Sequence, residues 1–293
     1  MAMNPKLLRP RSTVHPEAAA WATRVVANDG SVSGTTLSAV SKFCASISAA
    51  GIRDRFYRLN LFCGTGLSAC LVPLYRGPSL VGTQYGNTTD TNSNFVSGDY
   101  NETGAASGGL KGNGTTKYLD TGLTQQTING SGLGHLSVYA RHRSYPAVAA
   151  SYRMIGTIQT SPTNDWYFVD TRISAAGVVS NVSVHGGSSN ITSTSFDATT
   201  ARLMTLSRLS SSDARTYSDA TEVGSDTTSR TIAAVNANMF VFAENRVGTG
   251  AQTLSNITLA AYSMGLNLTA SQVSAFYSAM NTFQAALSRN SNV

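Results

Sequence analysis

The sequence predicts a mainly β protein: a two-sheet sandwich preceded by a small helical region and closed by one C-terminal helix. Apolar residues fall at helical spacing before about residue 117 and alternate as in strands after it, until a last amphipathic stretch returns to helical spacing. Clusters of Ser, Thr, Asn and Gly break the alternating part at short intervals, as a sandwich or jelly roll requires.

Pro16 suits a first helical position and Glu17 suits the positive helix N-terminus, so a helix is expected from there to Ala27, where Asn28-Asp29-Gly30 breaks it. Trp21, Val25 and Val26 would form its buried stripe. Ser33 or Thr35 can cap a second helix with Leu37, Val40, Phe43, Cys44 and Ile47 inward and Gly51 as its left-handed stop. A third helix or turn is expected through Ile52, Phe56, Leu59 and Phe62. Pro73 to Thr116 reads as a loop-rich connector with Phe95 and Tyr100 as aromatic anchors, long enough to be functional or to lie on a partner. The implied division is an arm (1–20), a helical docking domain (21–72), the connector (73–116) and a sandwich with its helix (117–293).

Strands are expected at Tyr118 to Leu123, Leu133 to Arg143, Ala149 to Gln159, Asp165 to Ile173, Val178 to His185, Ala201 to Leu209, Ala214 to Ser218, Asn238 to Asn245 and Asn256 to Met264. Thr269 would cap a final helix from about Ala270 to Ser288. Its stripe of Val273, Phe276, Tyr277, Met280, Phe283 and Leu287 must be buried on the sandwich or on another subunit.

Charged residues make up only 12% of the chain, a surface suited to permanent contact with neighbours. The net charge of +6 comes from 17 Arg and 4 Lys set against 15 acidic residues, and the arginines are scattered where a nucleic-acid groove would need a dense stripe. Three cysteines, Cys44, Cys63 and Cys70, are too few and odd in number for a disulfide scaffold and read as reduced, buried residues. No His stands at ligand spacing from them, so no metal site is expected. Met1 to Arg11 lacks the apolar segment of a signal peptide and no 18-residue apolar run occurs, which leads to the expectation of a protein made in the cytosol with no membrane partner.

Several motifs imitate chemistry. Gly64-Thr65-Gly66-Leu67-Ser68-Ala69 fits a dinucleotide fingerprint without the repeating strand–helix units that would support it. Gly112-Asn113-Gly114 resembles a phosphate loop but is more simply a turn before a strand. A glycosidase needs two carboxylates across one bond, yet Asp165 and Asp170 stand five apart and so face opposite ways. Glu17, Glu102, Glu222 and Glu244 each stand alone in sequence, with Glu244 placed for an ion pair to Arg246. Sugar binding would use exposed rings among Trp166, Tyr167, Tyr145 and Tyr152, although the simpler reading is that they fill the sandwich core.

Two stretches resemble a known family. Trp21 to Leu123, with Gly51-Ile52-Arg53-Asp54, Leu59-Asn60-Leu61-Phe62, Asn94-Phe95-Val96, Asp99-Tyr100, Gly112-Asn113-Gly114 and Lys117-Tyr118-Leu119-Asp120-Thr121-Gly122, resembles a sequence type of tailed-phage and prophage structural proteins. Phe240 to Asn245, Ala261 to Gly265 and the closing helix resemble the end of their concanavalin A-like (laminin G-like) jelly rolls. The resemblance implies a virion protein, made in the host cytoplasm, with no shared catalytic set and no cofactor.

The expectation is a non-enzymatic component on the exterior of a phage particle, in its head decoration, fibre, tail or baseplate. It would contact other virion proteins and further copies of itself, docking through Lys6, Arg9, Arg11, Arg53, Arg55 and Arg58. A host-attachment adhesin that binds a surface glycan is the alternative on the same fold, and a glycan hydrolase the third.

Overall fold

The computed structural model describes residues 14–105, 107–129, 133–141, 150–160, 165–173, 179–185, 190–193, 202–231 and 235–289. Along the chain these form α1 (Pro16–Ala27), α2 (Gly34–Ala49), β1 (Phe56–Asn60), α3 (Gly66–Cys70), β2 (Thr91–Ser93), β3 (Tyr100–Asn101), β4 (Gly109–Lys111) and β5 (Tyr118–Thr124). There follow α4 (Gln125–Asn129), β6 (Gly134–Ala140), β7 (Ala150–Gln159), β8 (Asp165–Ile173), β9 (Val179–His185), β10 (Asn190–Ser193), β11 (Arg202–Ser210), β12 (Asp213–Ser218) and β13 (Thr221–Asp226). The chain closes with β14 (Asn238–Val241), β15 (Glu244–Arg246), β16 (Gly250–Gln252), β17 (Thr258–Gly265) and α5 (Ala270–Ala286).

The strands form two facing sheets with a few helices on one outer face. One sheet runs β13, β12, β11, β6, β17, β4, β3, with β1 also paired to β17; the other runs β10, β9, β8, β7, β14, β5, β2, with β15 and β16 appended. Among the described pairings all are antiparallel except β15 beside β7. Between the sheets, Leu136, Val138, Met204, Leu206 and Met264 meet Met154, Ile155, Val169 and Val241 in one apolar cluster.

The first sheet is covered on its other face too. Tyr139, Leu203, Tyr217 and Ala261 belong to a second cluster with Trp21, Phe43, Ile47, Phe276, Met280 and Phe283 from the helices. Every residue of β6 and β17 is therefore buried, and their sequences lose the apolar–polar alternation of a sheet with one wet face. Phe43 meets Phe276 and Phe283 edge-on at 6.5 and 5.9 Å, so the stripe of α5 finds its cover within the same chain.

Local signals set the helix ends. The Ser33 hydroxyl accepts from Thr36 N at the start of α2, and Thr269 with Gln272 forms a reciprocal capping box at the start of α5. Gly51, at φ 66°, ends α2 as expected. Of the third helix or turn expected through Ile52 to Phe62, a short 3₁₀ turn forms at Arg53–Arg55, and the rest is β1, because Phe56 to Asn60 pair with Gly265 to Tyr262 of β17. The connector is likewise no free loop. Leu59 and Tyr75 exchange backbone hydrogen bonds at 3.1 Å, β2 joins one sheet, and β3 and β4 join the other. The boundaries drawn at 72 and 116 therefore do not separate packing units: the helices, connector and sandwich share cores.

Candidate functional site

A cleft of about 740 Å³ opens where the end of α1 and the start of α3 face the segment entering β2. Its lining is polar: Asn28 and Asp29, Ser68, and Asp90, Thr91 and Asn92. Local chemistry holds these groups in place. Asp29 sits at φ 57° just past α1, a left-handed position that Asp tolerates, and is exposed at the rim. Asn28 Nδ2 donates to the Ser68 carbonyl at 2.8 Å, fixing α1 to α3. Asn92 closes a turn by donating to the Phe95 carbonyl and accepting from Phe95 N, both at 2.9 Å.

Behind the cleft, Asp90 is buried. Its Oδ1 accepts from Arg58 Nη2 at 2.7 Å, Arg58 Nε at 3.0 Å and the Tyr262 hydroxyl at 2.6 Å, while Oδ2 accepts from Asn60 Nδ2 at 2.9 Å. Burial works against the Arg58 charge, but Tyr262 and Asp90 more than offset it and hold the guanidinium above its ordinary range. The Tyr262 hydroxyl is pushed well up by burial and by Asp90. This network fixes the cleft floor and carries an acidic group into its lining.

A second acidic constellation lies in the other sheet. Arg153 Nε donates to Glu244 Oε2 at 2.6 Å, its Nη1 donates to Asp170 Oδ2, and its guanidinium stacks on Phe168 at 3.4 Å. Arg246 takes the other Glu244 oxygen at 2.6 Å, the ion pair expected from sequence. Asp170 and Glu244 are fully buried, so the pair the sequence left apart is brought together around an arginine and closed off from solvent. Asp165 is buried on β8, and Glu222 pairs with Arg215 at 2.9 Å on β12 and β13.

The candidate docking and sugar-binding residues fall differently from expectation. Arg58 is fully buried on Asp90 and cannot dock a partner, and Arg53 is held by Glu17 at 2.6 Å; neither is the surface cation expected, because sequence spacing does not reveal a buried acid. Arg55 is partly exposed beside Asp54, at 3.6 Å. Lys6, Arg9 and Arg11 lie outside the described residues. Tyr167 and Tyr152 are buried, with Tyr167 in the apolar cluster between the sheets, so neither offers an open platform. Tyr145 lies outside the described residues, as does the side chain of Trp166. Asn28, Asp29, Asp90 and Asn92, which line the cleft, were missed. Turn-forming Asn-Asp-Gly and a lone Asp in a Thr-rich loop carry no signal of convergence until the chain folds.

The imitative motifs resolve as packing. Gly64 at φ 99° has no room for a Cβ beside Ala69, 2.6 Å away, and its amide is taken by Glu102 Oε1 at 2.8 Å. α3 is a single short turn set in no repeating strand–helix unit. At Asn113 the side-chain oxygen accepts from the amides of Thr115, Thr116 and Lys117 at 2.9 to 3.0 Å, a turn that starts β5.

No protein-family profile and no curated protein matches the chain. Among solved structures it is similar to a mutant of Trypanosoma rangeli sialidase displaying trans-sialidase activity, at 10% identity and TM-score 0.52, over 84% of this chain and 39% of that one. It is also similar to Trypanosoma rangeli sialidase in complex with sialic acid, at 12% identity and TM-score 0.49, over 75% and 32%. A third similar structure is native heptameric SAP-like pentraxin from Limulus polyphemus, at 11% identity and TM-score 0.37, over 50% and 69%. The chain thus spans well under half the length of the sialidases, and at these identities the likeness is one of fold. The expectation of a non-enzymatic building component is corrected on this point alone: the neighbour at TM-score 0.52 is a sialidase mutant displaying trans-sialidase activity, not an assembly protein.

Proposed function

We propose that this chain acts on glycans, holding a saccharide in the cleft between α1, α3 and β2, with hydrolysis of a glycosidic bond as its reaction. The observation that carries the reading is the lining. Asp29 exposes a carboxylate at the rim, and Asn28, Ser68, Thr91 and Asn92 make a polar wall over the buried carboxylate of Asp90, a concavity suited to sugar hydroxyls. The fold neighbour at TM-score 0.52, a sialidase mutant displaying trans-sialidase activity, supports the same substrate class. In this reading Asp90 is the fixed carboxylate, set by Arg58, and Asp29 the exposed partner. The finer fold, a concanavalin A-like jelly roll, and a virion setting facing a host-surface glycan belong to the same proposal through the sequence resemblance.

A second reading, glycan retention without cleavage, is favoured by one observation: Asp90 is already engaged by Arg58, Tyr262 and Asn60. Glycan-array binding together with a reducing-sugar release assay tests both. Binding with release that is lost in Asp29→Asn supports hydrolysis, binding without release supports retention, and a blank array with no release removes the glycan reading altogether.

A further inference from the structure

The fold brings the distant Cys44 to His15 and Glu17, which stand two residues apart in sequence. His15 caps α1, Glu17 sits in its first turn, and Cys44 lies on α2; their ligand atoms all fall within 4.8 Å of one another. Arg53 Nε grips Glu17 Oε1 at 2.6 Å and stacks on the Tyr75 ring at 3.7 Å, which fixes the carboxylate plane. Glu17 Oε2 is then left buried with no hydrogen-bond partner. Such an acceptor, shut off from solvent beside an imidazole and a thiol, is costly unless something positive meets it.

We propose that His15, Glu17 and Cys44 bind one zinc ion, with water in the fourth position, cross-linking α1 to α2. The donor set selects the metal: one nitrogen, one oxygen and one sulfur suit borderline Zn²⁺, whereas Ca²⁺ and Mg²⁺ take oxygen ligands and Cu(I) prefers sulfur. On binding, the Cys44 thiol gives its proton to solvent, so the site supplies two negative charges against the positive charges of Arg53 and nearby Arg24. A purely structural reading, with Cys44 as a small core residue and Glu17 as the partner of Arg53, accounts for Oε1 and leaves Oε2 unexplained. The inference is independent of the glycan reading, since none of these three residues lines the cleft.

The test uses the untagged full chain. Elemental analysis and competition against a chromophoric chelator measure zinc, and Co²⁺ substitution reports a thiolate ligand through its charge-transfer band. One zinc per chain is expected. The cobalt band should vanish in Cys44→Ala, and zinc affinity should fall at least tenfold in His15→Ala and in Glu17→Gln. Failure to take up stoichiometric zinc overturns the proposal, as does uptake that is unchanged in His15→Ala. Should Cys44→Ala not fold, His15→Ala decides alone, because His15 is only half-buried.

Discussion

The Tyr262 hydroxyl donates to Asp90 Oδ1 at 2.6 Å across 172 positions of sequence. Arg58 on β1 donates to the same oxygen, so a strand paired at each chain end and the connector between them meet at one carboxylate. Asp90→Ala leaves the fully buried Arg58 without its counter-charge and is expected to cost about 3–5 kcal/mol. Tyr262→Phe removes one hydrogen bond to a charged group and is expected to cost about 1.5–3 kcal/mol. Urea denaturation measures both, and an Asp90→Ala loss below about 1 kcal/mol would show that this network is not what joins the connector to the sandwich.

Arg153 makes an analogous junction inside the other sheet. Arg153→Met keeps the stem packed on Phe168 but leaves Asp170 and Glu244 buried together without their shared cation. A loss of about 3–5 kcal/mol is expected, read as a lower denaturation midpoint. Sugar release that fell in Asp170→Asn with stability unchanged would contradict the structural role given to this cluster.

His135 makes stability depend on pH. Burial lowers its pKa from the ordinary 6.5 to about 4, against the pull of the Leu266 carbonyl that its Nδ1–H meets at 2.6 Å. Above pH 6.5 the ring is neutral in folded and unfolded chains alike, and its contribution is complete. As pH falls below 6.5 the unfolded chain takes the proton first, so stability drops until about pH 4, by about 3 kcal/mol in all. Denaturation curves between pH 4 and 7 should show this slope, and it should flatten in His135→Gln.

Two glycines separate close packing from mere turn preference. A Cβ on Gly112 would stand 2.0 Å from the Ser255 carbonyl oxygen, whereas one on Gly98 would meet nothing within 4 Å. Gly112→Ala is expected to cost at least about 1–3 kcal/mol through backbone displacement. Gly98→Ala is expected to be neutral, or stabilising by about 0.4–1 kcal/mol. Thermal melts of the two variants provide the comparison, and equal melting temperatures would refute it.

The thiols should be silent in the folded protein. Burial pushes Cys44 up to about 12, and Cys63 and Cys70 are also raised by burial. Alkylation at pH 8 should label none of the three before denaturation and all three after it. Rapid native labelling at any of them would contradict the burial that underlies this expectation.

Much of the fold is written locally. Pro16, Ser33, Gly51 and Thr269 mark helix ends by cap chemistry and backbone freedom, which depend only on near neighbours. Alternation along β5, and the β-branched and aromatic run of β8, likewise declare strands without reference to the rest of the chain. Composition also placed the cysteines inside, because a thiol behaves as a small apolar group. What tertiary structure alone decided is which distant residues meet. Phe56 to Asn60 became strand because β17 offered a free edge, Arg58 and Arg53 went inside because Asp90 and Glu17 awaited them, and Asp29 came to line a cleft with Asp90. Pairing energies of that kind arise between segments far apart in sequence, so no local pattern carries them, and a charge that reads as surface can be buried wherever the fold supplies its partner.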